Sequence, residues 1–149
     1  MKLLNIFVWI LRIFGILSII LVCLFLILLI LKHALFRASL REIVVALQGL
    51  VFLCLAQGLS KEEKWAWDTG QIILILFVVF ANSIIFAGIN IFFLFLLVKV
   101  RKPFIEKPKE KISLWFRNPY FVTTVLGTVI AFLIRGGMLA QRLWQMLIW

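Results

Sequence analysis

Four long apolar stretches, separated by short clusters of charge, divide this chain. The first runs from about Ile6 to Leu31 with one charge, Arg12, and none at all from Ile13 onward. A helix there is apolar on every face, so no small water-soluble domain could bury it. It is also long enough for a hydrocarbon core, which needs about 20 such residues. The second stretch, Ile43–Leu59, is shorter and contains Gln48, Gly49, Gln57 and Gly58. The third, Ile72–Val98, is long enough to cross at a tilt. The fourth opens at Pro119 and stays uncharged as far as Arg135. The pattern predicts an all-α integral membrane protein, a single membrane domain over residues 1–149 with transmembrane helices at about 6–31, 43–59, 72–98 and 119–135.

Asn118-Pro119 joins a good N-cap to the residue preferred at the first helical position. A helix begun there rises about 24 Å by Arg135, which brings that guanidinium close to the far interface, where it can snorkel outward. Gly136-Gly137 then offers a break. Beyond it, residues 138–149 place Gln141, Arg142 and Gln145 on one side. With Trp144 and Trp149 at headgroup depth, they read as a short amphipathic interfacial helix. The alternative is one long helix that keeps Arg135 inside the bundle.

The connections carry the charge. Lys32–Glu42 holds Lys32, His33, Arg37 and Arg41, and Ser60–Gln71 reads as a polar link with Trp65 and Trp67 as interface anchors. Lys99–Arg117 is the largest polar stretch, and Pro103 and Pro108 keep it from forming one helix. Four spans put the first and third connections on one side. The positive-inside rule assigns that side to the cytoplasm and both termini to the outside. Were 43–59 only to lie on the membrane, the N-terminus would be inside.

Composition agrees with lipid as the solvent: 65% of residues are hydrophobic and the mean hydropathy is +1.18, against about 45–50% apolar in soluble domains. The formal charge is +10, yet no basic face is interleaved with stacking aromatics. Nucleic acid is therefore not an expected partner. The surplus reads as topogenic charge and attraction to anionic lipids. Cys23 and Cys54 lie inside apolar stretches in no metal or redox spacing. The first span exceeds a signal-peptide core and is followed by KHALFRAS, without a small-x-small site, so it is expected to remain as an anchor.

Reactive chemistry is sparse. His33 is the single histidine, and no acidic residue lies in any of the four apolar stretches, which argues against a proton relay made by this chain alone. No phosphate loop, catalytic triad or zinc spacing occurs. A non-enzymatic protein without a cofactor is expected. Asn82, Ser83 and Asn90 in the third stretch, with Gln48 and Gln57 as in-chain partners, are expected to make interhelical hydrogen bonds worth roughly 0.6–2 kcal/mol each. The rival reading makes them the lining of a substrate path. Arg135 and Arg142, which share a face if the last helix continues, would contact an acidic partner or an anionic lipid. Lys99, Arg101, Lys102, Lys107, Lys109 and Lys111 form a cytoplasmic basic patch. With 15 Phe leaving few small-residue seams, the chain reads as an accessory or structural subunit of a larger respiratory, photosynthetic, secretion or transport complex. Its expected place is a bacterial cytoplasmic membrane or an organelle membrane of bacterial origin, among other membrane-protein subunits. The alternatives are a small homo-oligomeric channel, holin or transporter, and a membrane immunity protein against a pore-forming toxin.

Overall fold

The computed structural model describes residues 2–31, 40–81, 83–106 and 112–148; Lys32, His33, Arg37, Asn82, Lys107, Lys109, Lys111 and Trp149 lie outside them. Among the described residues the chain is helical, with no strand. The helices are α1 (Lys2–Leu31), α2 (Leu40–Ser60), α3 (Lys64–Val79), α4 (Ile84–Lys99), α5 (Lys102–Ile105), α6 (Ile112–Trp115) and α7 (Pro119–Ile148). Three contain stretches long and apolar enough to cross a membrane: Lys2–Ile27 in α1, Glu42–Ser60 in α2 and Pro119–Gly137 in α7.

The stretch 72–98 is not one helix. It divides at Phe80–Ser83 into α3 and α4, each of 16 residues and so about 24 Å long, short of a core about 30 Å thick. The two form an antiparallel hairpin: the Trp67 indole donates to the Leu97 carbonyl at 3.2 Å, and its ring stacks on Phe104 just past the end of α4. Nor is Ser60–Gln71 a free polar link, because α3 already starts at Lys64. Its buried positions, Trp65, Ala66, Gly70, Ile73, Leu74 and Phe77, recur at helical spacing, so one stripe of the helix is apolar from its first turn. The break expected at Gly136-Gly137 is absent as well; α7 runs unbroken to Ile148. A helical glycine costs only about 1 kcal/mol, whereas a broken backbone in lipid leaves polar groups without partners.

α2 is the centre of the bundle, with α1, α3 and α7 packed on it. It runs antiparallel to α1. A Cβ on Gly49 would lie 2.9 Å from the Gly15 carbonyl oxygen and 2.9 Å from Ser18 Cβ. Only glycines let the two backbones cross that closely. Gly58 plays the same part for α3, since a Cβ there would meet Ala66 Cβ and Trp65 Cζ2 at 2.6 Å each. Phe93 carries α4 into the core, edge-on to Phe14 at 5.2 Å and to Phe52 at 5.5 Å between ring centroids. Buried residues of α4, Asn90, Phe93 and Leu97, make only one narrow stripe. The remaining apolar surface, such as Ile84, Ile85 and Phe95, is exposed.

These contacts sort the helix ends into two levels. Lys2, the turn Lys61–Glu63, Lys64, Lys99, Arg101, Lys102 and Asn118 gather at one end, because Leu3 and Leu4 line one small hollow with Lys99, Val100, Lys102 and Pro103, and Glu63 bonds Asn118. The hairpin tip, the start of α2 and the second half of α7 gather at the other, where Arg135 meets Phe80.

Candidate functional site

Where α3 stops, its last carbonyls lose their intrahelical partners. Phe80 N donates to the Leu76 carbonyl at 3.0 Å and Ala81 N to Val78 at 3.2 Å; Ser83 then turns extended and caps α4, its Oγ accepting from Phe86 N at 3.2 Å. The Phe80 carbonyl is satisfied from another helix. Arg135 Nη1, on α7, donates to it at 3.0 Å. This is a favourable pairing, because the C-terminal end of a helix carries partial negative charge. The guanidinium also sits 5.9 Å from the centroid of the Phe77 ring. Phe132, one turn earlier on α7, closes the cage, 5.8 Å from Phe77 and 4.9 Å from Phe80. Arg135 is only 8% exposed. A cation of α7 thus takes the place of the next helical turn of α3.

Three buried side-chain atoms among the described residues lack a hydrogen-bond partner: Arg135 Nε, Gln48 Oε1 and Asn90 Oδ1. Each such group costs about 1–3 kcal/mol. Asn90 spends its Nδ2 on the Phe86 carbonyl of its own helix at 2.8 Å, so the bond present is intrahelical. Because α2 and α4 run parallel and Phe52 meets Phe93, Gln48 and Asn90 fall at one level, one turn closer to the break. Ser83 serves its own helix, and Asn82 lies outside the described residues. Gln57 does make an interhelical bond: its Oε1 accepts from Arg12 Nη2 at 3.3 Å. Arg142 belongs to unbroken α7. In the basic patch, Lys99, Arg101 and Lys102 are exposed at the crowded end, with Lys99 Nζ 5.3 Å from the Phe95 centroid.

Two constellations had not been read from the residues. One is the staple at Glu63, whose Oε2 accepts from both the Trp65 indole and Asn118 Nδ2, the latter at 2.8 Å, while Asn118 Oδ1 caps α7 through Tyr120 N at 3.0 Å. The other is Arg12 with Gln57. The signal for it was present, since a lone charge inside an uncharged span asks for a partner. No protein-family model, no curated protein and no solved structure matches this chain.

Proposed function

We propose that this integral membrane protein is a non-enzymatic subunit of a larger membrane complex, held by lateral helix contacts. The observation that carries the reading is the contrast between its helices. In the most apolar 18-residue window of α2, 56% of the positions are buried by the chain itself, but in that of α1 only 11% are. A largely apolar stretch of 26 residues with one narrow face on α2 offers the remainder to lipid or to another protein's helices. Ile13, Ile20 and Leu24 are each about half exposed on that free face. Among the described polar side chains of the spans, Ser18, Asn90, Thr124 and Thr128 bond carbonyls of their own helices, and Arg12, Gln57 and Arg135 bond between helices.

The end that gathers Lys2, Lys61, Lys64, Lys99, Arg101, Lys102 and Arg117 faces the cytoplasm in this reading, by the positive-inside rule. The N-terminus is then cytoplasmic and the end of α7 is outside. A photo-crosslinking amino acid placed at Ile20 or Leu24 in native membranes tests the subunit role. One discrete foreign protein adduct is expected at both positions, and none from buried Leu11. Adducts with lipid alone, or with a second copy of this chain, contradict it.

Gln48 and Asn90, buried within the bundle with unpartnered amide oxygens, favour a second reading, a small transporter, since polar groups inside the membrane mark substrate and ion pathways. Asn90, 1% exposed, cannot line a pore between copies, so the path would run inside each protomer. Solute flux into vesicles holding the purified chain alone, abolished by Asn90→Leu, would favour this reading over the first.

A further inference from the structure

Between α1 and α7, with α2 as its floor, lies a cleft of about 390 Å³ lined by Arg12, Ile16, Leu50, Leu53, Cys54, Gln57 and Tyr120. Its two ends differ in chemistry. Arg12, Gln57 and Tyr120 stand at the end of the bundle where α2 finishes and α7 begins; Ile16, Leu53 and Leu50 continue the same cleft one to two turns toward the middle. The Arg12 guanidinium donates to the Gln57 amide oxygen, a neutral acceptor, at 3.3 Å and lies 5.9 Å from the Trp9 centroid. A second cation stands beside the cleft at Tyr120, where Lys61 Nζ sits 5.3 Å from the ring centroid. Within the apolar stretches that form the walls there is no acidic residue; of the two carboxylates in the adjoining turn, Glu63 is turned to Trp65 and Asn118, and Glu62 is engaged as well.

We propose that this cleft binds one anionic phospholipid, its phosphate on Arg12 and Lys61 and one acyl chain along Ile16, Leu53 and Leu50. The order of the lining matches the order of the ligand. Cationic and hydrogen-bonding groups lie on the side of the cleft nearer the end where α2 finishes, and an apolar trough leads inward, as a lipid whose headgroup reaches down to Arg12 would require. A guanidinium within a span is costly unless an anion or strong acceptors meet it, and a single amide oxygen leaves most of its donors to fill. The phosphate supplies bidentate acceptors of the kind arginine prefers. The site is independent of what the chain assembles with.

The test uses the full chain in nanodiscs of phosphatidylcholine, titrated with phosphatidylglycerol and read by the lipid retained per protomer in native mass spectrometry. One phosphatidylglycerol retained by the wild type is expected, with binding weakened about tenfold or more in Arg12→Gln, the scale of a lost charge-assisted hydrogen bond. Leu50→Trp, which fills the trough and leaves the charges in place, should also lose the lipid. Lys99→Gln, a basic residue elsewhere at the same end, should retain it. Equal retention in Arg12→Gln and wild type overturns the proposal, as does equal loss in Lys99→Gln. Displacement of the lipid by millimolar glycerol phosphate would show that the acyl trough contributes nothing, and overturns it too.

Discussion

The stretch 43–59, which carries two glutamines and two glycines, forms one unbroken helix at the centre of the bundle, whereas the more apolar run 72–98 is broken in two. Hydropathy alone would order them the other way. The difference lies in what surrounds each backbone. α2 is clasped on several sides by α1, α3 and α7 at glycine crossings, so its amides have nowhere to go but the helix ladder. At Phe80 a neighbouring helix offers a donor, the Arg135 guanidinium, and Ser83 offers a cap for the next start. A break in lipid is possible where other groups meet the backbone atoms it frees.

That contrast can be broken from either side. The largest effect is expected at the α1–α2 crossing. Gly49→Val would drive a side chain into the Gly15 backbone at under 3 Å, and should cost about 3 kcal/mol, the upper range of overpacking. Gly88→Val on α4, where a Cβ meets nothing within 4 Å, should leave the unfolding midpoint in detergent nearly unchanged. Equal losses in both would mean that α2 is not clasped as described.

Next in size is Arg135→Leu, which leaves the Phe80 carbonyl without its donor and should cost about 1–3 kcal/mol. Amide exchange should rise in α3's last turn and at the start of α4, while α2 keeps its protection. Uniform loosening of all helices would argue that Arg135 is a general anchor instead. Smaller again is Asn118→Ala. It removes both the α7 cap and the bond to Glu63, with an expected cost of about 1 kcal/mol and faster exchange confined to the first turn of α7.

How much could be read from the residues follows the same physics. Helices α1 and α2, and the start of α7 at Asn118-Pro119, were legible because long apolar runs and a cap are local signals. The turn after Phe80 was not, since no glycine or proline marks it and the group that satisfies it lies 55 residues away. Ser83 was noticed as a polar residue within a span, although its role is that of a helix start. In the sequence Lys64 and Asp68 hide the stripe of Trp65, Ala66 and Gly70, so Lys64–Gln71 reads as a link although it is the first half of α3. The fold-back also alters the threading. A continuous third span would carry Lys99–Arg117 across the membrane from Ser60, but the hairpin returns it to the same end.

Sidedness therefore decides the account most directly. In a chain with Cys23→Ala and Cys54→Ala, single cysteines are introduced as Ser60→Cys, Ser113→Cys and Gln145→Cys, all at exposed positions. Each is then labelled in sealed vesicles with a membrane-impermeant maleimide. Positions 60 and 113 should react from one side of the membrane and position 145 from the other. Reaction of 60 and 113 from opposite sides would contradict the hairpin and restore a continuous crossing helix in its place.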